Sequence, residues 1–443
     1  MVFNPVVAAA IAVLLLSLYL YKLNKAMTST PEDVHAWRPR AWTDEEIRET
    51  YERVCNEPID FAKHLPPKLE RRYIVVGGSG LVGGDIVLHL LARGQPPSSI
   101  RIVDFSKPSR SDMLNGPATK VDYVKTDITD PTSVEAAFSK PWPSDVANLP
   151  LTVFHTAAII RPGERSMLFW DRTRRVNVDG TENVCDERDF DRPLRPHGDY
   201  FANYAYSKAI AERTVCGANA PGFRTGVIRP GMGIYGLPTD VICGPALREQ
   251  KVVTFIAHVV QNFVSGWNVS LAHLLFEAAL AGPAVPGCAG RPLVVTDAGP
   301  PPQWNDFFRA AGLVAATPLD VTVVSPLVMY LLAHVVEGWA ILLARVPFLT
   351  RLGLSEPQGP IQSLQPAIWT PGAFVMVDDG AARRSVEEGG LGYKGVCTTL
   401  EGMCEQIRDW NRSQGDEGVN GSAHKVDKKS ILEADLVEAH IVA

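Results

Sequence analysis

Residues 71–94 read RRYIVVGGSGLVGGDIVLHLLARG, and this stretch decides the fold. A short β-branched and aromatic run, YIVV, has the composition of a buried strand. Glycines interrupt it, and an apolar stretch of helical length follows and stops at Gly94. Gly77, Gly80 and Gly83 form G-x-x-G-x-x-G, and Gly78, Gly80 and Gly83 also satisfy G-x-G-x-x-G. One glycine permits the tight turn, one lets the backbone approach a pyrophosphate, and one lets helix pack on strand. The helix then offers its free N–H groups and positive dipole end to phosphate. A glycine motif placed between strand and helix predicts a dinucleotide site.

The rhythm continues downstream. Strands are expected at SIRIVDF (99–105), VDYVKTDITD (121–130) and LTVFHTAAI (151–159), with a helix at SVEAAFSK (133–140). Two more strands are expected within FRTGVIRPGMGIYG (223–236) and RPLVVTDAGPP (291–301). Alternation of this kind predicts an α/β, Rossmann-like, doubly wound parallel sheet. Asp104 ends the second strand, 21 residues after Gly83, where a carboxylate would hold the adenosine ribose hydroxyls. Such a carboxylate repels a 2′-phosphate and favours NAD over NADP, while Arg101 and Arg110 lie near enough in sequence to argue the other way. Asp127, just past the third strand, is placed either to meet the adenine edge or to close a turn.

The chain has 443 residues, 46% hydrophobic and 21% charged, as a globular protein with a real core requires. Its net charge of -6 leaves no basic footprint for nucleic acid. The seven cysteines form no C-x-x-C pair and no Cys/His cluster, so they read as reduced thiols and no metal site is expected.

The first 21 residues, MVFNPVVAAAIAVLLLSLYLY, carry no charge, and Lys22 and Lys25 follow. That length suits an N-terminal transmembrane helix, and basic residues on its C-terminal flank place the main domain in the cytoplasm. The expected organisation is an anchor over 1–25, a linker with a short helix over 26–70 and a Rossmann domain over 71–236. A smaller substrate-binding, membrane-associated region over 237–411 and a polar tail over 412–443 complete it. Within the C-terminal region, residues 321–350 are apolar but broken by Pro326, His334, Glu337 and Arg345. That pattern suits a segment lying in the membrane surface or over an apolar channel, and equally a buried helix pair.

NYAYSKAIAE (203–212) sets Tyr204 and Lys208 four apart, on one face of a helix. A neighbouring ammonium would favour the phenolate of Tyr204. The spacing alone is weak, since Tyr21 and Lys25 repeat it. Together with the glycine turn it resembles the extended short-chain dehydrogenase/reductases. VNVDGTENV (176–184) and VIRPGMGIYG (227–236) resemble segments of that group, and GLGYKGVCTTLEGMCEQIRDWN (390–411) resembles the C-terminal signature of the 3β-hydroxysteroid dehydrogenase/isomerase family. Within that family the chain is most similar to the fungal sterol-4α-carboxylate 3-dehydrogenase (decarboxylating) branch.

The resemblance implies Tyr204 as the base for a C3 hydroxyl proton and Lys208 as its electrostatic partner and ribose ligand. It implies Asn177 as an ordering residue of the site. Gly77, Gly78, Gly80 and Gly83 would hold the pyrophosphate of NAD and Asp104 the ribose, with Asp127, Ala157 and Pro230 also lining the cofactor. His155 is expected to pack rather than react. An endoplasmic-reticulum membrane location, a sterol or triterpenoid substrate and a homodimer or sterol-demethylation complex are implied as well.

The sequence departs from the family in one place. Asn183 lies only 21 residues before Tyr204, and the interval VCDERDFDRPLRPHGDYFANY contains no serine, no threonine and no β-branched run. Ser166, the nearest upstream serine, does not match the motif. A central strand and the usual Ser/Thr partner of the tyrosine are therefore expected to be missing between 184 and 200. A skipped exon is the preferred explanation, and an inactive nucleotide-binding form is the alternative.

Overall fold

The computed structural model describes residues 5–416 apart from 39, 162, 185–193, 370 and 371. In chain order its main elements begin with α1 (Pro5–Thr28), α2 (Asp44–Asn56), β1 (Arg72–Val76) and α3 (Leu81–Ala92). Next come β2 (Ile100–Asp104), β3 (Asp122–Lys125), α4 (Pro131–Ser139) and β4 (Leu151–His155). A helical stretch follows: α5 (Trp170–Arg174), a π-helical turn (Arg175–Asp179) and α6 (Gly180–Val184). After it lie α7 (Asn203–Gly217), β5 (Val227–Pro230), β6 (Gly233–Tyr235), β7 (Lys251–Thr254), β8 (Phe263–Ser265) and α8 (Gly266–Ala281). The chain ends with β9 (Pro292–Val295), α9 (Trp304–Val314), β10 (Asp320–Val323), α10 (Pro326–Arg345), α11 (Pro347–Arg351) and α12 (Thr399–Asp416).

Strands β3, β2, β1 and β4 form, in that order, one parallel sheet. Both of its faces are buried, as a parallel sheet requires. Tyr73 and Val75 of β1 pack with Ile86 and Leu90 of α3, while Ile74 and Val76 face Ile128, Val134 and Ala137 on the opposite side. The doubly wound architecture expected from the sequence is present.

The sheet stops at β4. Strand β5 pairs with β9, β6 with β8, and β7 with β10, each as a separate parallel pair. Among the described residues nothing pairs with the outer edge of β4 or of β5, and Leu151 is 37% exposed. Residues 194–202 contain no strand, while 185–193, where the expected interruption falls, lie outside the described residues. The distal part of the 412–443 tail lies outside them too.

The region read as a linker contributes to the core. Thr43 and Glu46 form a reciprocal capping box at the start of α2, and Ile47 and Val54 are fully buried against Phe307, Met403 and Ile407. Helices α1 and α10 are both long and apolar enough to cross a membrane by length and composition. They touch each other, with Ser325 Oγ donating to Asn24 Oδ1 at 2.7 Å. Asn268, which opens an N-x-S sequence, is fully buried and so closed to glycan attachment.

Asp297, two residues past β9, joins the separate strand pairs. It accepts hydrogen bonds from Ser265 N (2.8 Å), Asn268 Nδ2 (2.6 Å) and Tyr235 OH (2.7 Å). Burial raises its pKa to about 6, and the three donors only partly offset this. A carboxyl whose folded pKa is raised contributes stability that is complete below its unfolded value, near 3.9, and lost as pH rises through 6. Between pH 4 and pH 6.5 wild-type protein is therefore expected to lose up to about 3 kcal/mol from this group. Urea unfolding of wild type and Asp297→Asn across that range should show the loss in wild type alone. Parallel curves would sink the assignment.

Candidate functional site

The glycine turn is built from contacts that forbid side chains. Gly77 has φ +81°, and a Cβ there would stand 2.6 Å from Ala157 N. A Cβ on Gly83 would fall on the carbonyl oxygen of Gly77, so α3 can approach β1 only because residue 83 has none. Gly78 packs its α-carbon against Ile102, where a Cβ would come within 3.0 Å. Gly80 is different. It caps α3 in extended conformation without a side-chain cap, and its Cβ would meet nothing nearer than Gly77 O at 3.4 Å. The first N–H groups of α3 thus open onto a turn that holds space for an anion.

Asp104 lies beside this turn. Its carboxylate accepts from Ser79 N (3.0 Å) and Ser106 N (3.1 Å), which ties the glycine loop to the end of β2. Both nearby arginines are committed elsewhere. Arg101 is buried, donating to Asp122 and to the carbonyls of Ala137, Lys140 and Pro141, with its guanidinium 4.1 Å from the Trp142 ring. Arg110 pairs with Asp85 (2.6 Å) and Asp112 (2.7 Å) and donates to Leu81 O. Asp127 closes a turn, accepting from Thr129 N and Thr129 Oγ1. Pro230 ends β5 opposite Val295, and no bond or ring contact among the described residues joins it to Tyr204 or to the glycine turn.

Tyr204 and Lys208 stand one turn apart on α7, which packs on α5, the π-helical turn and β5. Lys208 keeps contact with solvent, yet the protein around it lowers its pKa by desolvation, as for a side chain in an open cleft. Its charge adds to burial in pushing His155 down to about 4. The imidazole is neutral at pH 7 and shares a hydrogen bond with Thr181 Oγ1 at 3.0 Å, so it packs as expected. The phenol departs from expectation. Burial raises the Tyr204 pKa, and the lysine one turn away does not reverse the direction.

Asn177 sits in the π-helical turn and is almost fully buried. Its Oδ1 accepts from Ile159 N (2.8 Å), and its Nδ2 donates to Ile159 O (3.0 Å) and Ser207 Oγ (3.0 Å). The amide thus staples the loop after β4 to the tyrosine helix. Ser207, which in turn donates to Tyr204 O at 2.7 Å, escapes the sequence reading because a serine in mid-helix looks unremarkable. An aromatic group formed by Trp170, His197, Tyr200 and Tyr206 also escapes it; its signal is the second tyrosine of NYAY. Ser166 Oγ accepts from Leu168 N, and its carbonyl accepts from Asn203 Nδ2.

The sequence model of the 3-beta hydroxysteroid dehydrogenase/isomerase family matches residues 74–188, the segment that carries the glycine turn, Asp104, His155 and Asn177. Over this segment the chain is similar to that family. A 3 beta-hydroxysteroid dehydrogenase/Delta 5→4-isomerase of Mycobacterium tuberculosis is 29% identical over 252 residues, covering 48% of this chain and 63% of its own. A 3-beta-hydroxysteroid dehydrogenase of Mycolicibacterium neoaurum is 29% identical over 262 residues, covering 50% and 66%. The match thus spans just under two thirds of these relatives. Among solved structures, an epimerase from Methanothermobacter thermautotrophicus aligns with TM-score 0.51 at 15% identity, covering 83% of this chain and 97% of its own. UDP-glucose 4-epimerase from Thermotoga maritima aligns with TM-score 0.50 at 16% identity, covering 78% and 99%. These two likenesses concern the fold.

The last two glycines of the motif should separate on mutation. Gly83→Ala is expected to cost about 1–3 kcal/mol of stability by forcing α3 off β1. Gly80→Ala should leave stability within about 0.5 kcal/mol and weaken dinucleotide binding instead. Urea melts and a dinucleotide titration measure both, and equal destabilisation by the two would contradict the packing described.

Proposed function

We propose that this chain is a membrane-bound, NAD-dependent 3β-hydroxysteroid dehydrogenase. In this reading it oxidises the C3 hydroxyl of a 4-carboxysterol or related triterpenoid at the endoplasmic reticulum, with its main domain in the cytosol. The observation that carries the reading is that one chain holds both the glycine turn before α3 and Tyr204 with Lys208 one turn apart on α7, while its residues 74–188 match the steroid dehydrogenase family model. Asp104 at the ribose position supports NAD over NADP, as does the engagement of Arg101 and Arg110 by other partners. Assembly as a homodimer or in a sterol-demethylation complex is part of the same proposal.

The dinucleotide fits the turn: its pyrophosphate would lie against Gly77, Gly80 and the first N–H groups of α3, with Ala157 behind. When bound in oxidised form it supplies a hydride acceptor and a positive ring charge that favours phenolate. Tyr204 removes the hydroxyl proton of the substrate as the C3 hydride departs. Lys208 stays protonated beside the ribose and stabilises the phenolate. Asn177 and Ser207 keep α7 against the loop after β4. A 4-carboxylate on the resulting ketone makes a β-keto acid, which loses CO2 because the new carbonyl accepts the electron pair. The exposed α1 and the apolar α10 support access to the substrate from the bilayer.

A second reading has its own observation. The open edges of β4 and β5, and the interval without Ser or Thr before Tyr204, favour a nucleotide-binding protein without turnover. A transcript with a further exon between the codons for Asn183 and Tyr204 would restore the first reading. An NADPH-dependent carbonyl reductase is disfavoured by Asp104.

The full-length chain in detergent decides between them. With NAD and a 3β-hydroxysterol, wild type should turn over with a rate that climbs with pH, since burial raises the Tyr204 pKa. Tyr204→Phe should lower kcat by about 10²–10⁴ while binding NAD normally. NAD binding without wild-type turnover would establish the second reading, and an unaffected Tyr204→Phe rate would remove the tyrosine from the chemistry.

A further inference from the structure

Helix α10 carries a single acidic residue in an otherwise apolar run, and that residue is buried. Glu337 is 8% exposed, whereas Val328, Leu331, Leu332 and Val335 of the same helix face outward. A carboxylate in such a helix is costly unless it is paired. Its partner comes from the loop after β4: Arg165 Nε and Nη2 grip the two Glu337 oxygens at 2.6 and 2.7 Å. This is the two-point geometry that makes an arginine–carboxylate pair specific in position as well as in charge.

A second bridge runs beside the first. Arg172 of α5 holds Glu356, just beyond α11, at 3.0 and 2.8 Å, and also reaches Glu164 at 3.0 Å. Residues 164–166 therefore meet the apolar helical segment from two directions. The two residues that flank Arg165, Glu164 and Ser166, hold the start of α7. Asn203 N donates to Glu164 O at 2.9 Å, and Asn203 Nδ2 donates to Ser166 O at 3.0 Å. Asn203 is fully buried, and Tyr204 is the next residue. A short physical path thus leads from α10 through Arg165 to the helix turn that carries the tyrosine.

We propose that Arg165 and Glu337 are positioning residues, a clamp through which the seating of the apolar helix α10 sets the placement of Tyr204. The clamp rests on the reading of Tyr204 as the reacting base for its kinetic consequence, but not for its structural one. Neither side chain has been placed in the dinucleotide site, so the clamp acts on turnover while cofactor affinity is conserved.

The test uses the full chain in phosphatidylcholine vesicles, with Arg165→Gln, Glu337→Gln and the charge swap Arg165→Glu/Glu337→Arg. Hydrogen exchange over residues 200–210 should speed up by about tenfold in each single variant as the first turn of α7 loosens. A kcat reduced by about tenfold, with KM and NAD affinity within about twofold of wild type, should accompany it. The swap should restore protection and rate together. Unchanged exchange in α7 for Arg165→Gln overturns the proposal, as does a general loss of protection with NAD affinity and kcat falling together. Should Glu337→Gln fail to fold, Arg165→Gln decides alone, because that side chain is half exposed. A wild type without turnover defeats the proposed function, and the exchange measurement still judges the clamp.

Discussion

The approach of α3 to β1, with Gly83 lying against the carbonyl of Gly77, is the constraint on which the rest of the site depends. It draws the helix N-terminus onto the turn, directs its free N–H groups outward and leaves Asp104 close enough to accept from Ser79 N. Side-chain interlock then spreads from both faces of β1. Tyr73 shows the reach of this packing: its hydroxyl donates to Glu277 of α8 at 2.9 Å, and Arg93 donates to both groups. The sheet, the C-terminal end of α3 and a helix from the distant half of the chain are thereby fastened at a single buried point.

The tyrosine helix depends on a different kind of support. Few large apolar residues lie beneath α7, and polar contacts hold it instead: Asn177 to Ser207, Glu164 and Ser166 to Asn203, and His197 to Asn203 at 2.8 Å. Hydrogen bonds of this sort each contribute about 1 kcal/mol net but impose direction, which apolar packing does not. Placement of Tyr204 is therefore governed by geometry rather than by bulk burial.

The glycine turn, the alternation of strands and helices, and the break ahead of Tyr204 are readable from the chain because each is written in a few consecutive residues. Other features are not. Arg165 and Glu337 are 172 residues apart, and nothing in either neighbourhood announces the partner. The burial of α2 hides under a polar composition, although Ile47, Thr50 and Val54 recur at helical spacing. The raised pKa of Tyr204 is also invisible in the Y-x-x-x-K pattern, because spacing records the neighbouring charge and not the desolvation that outweighs it.

The outer edge of β4, unpaired among the described residues, has a bearing on the life of the protein in a crowded cell. Its residues, LTVFH, include no lysine and no proline, the two side chains that most often discourage strands from adding to an edge. A bare row of amide and carbonyl groups along the edge of a parallel sheet is a template for any extended segment that passes. Keeping the chain soluble thus becomes a matter of proteostasis: whatever shields that row, in cis or in trans, also governs how much folded protein accumulates.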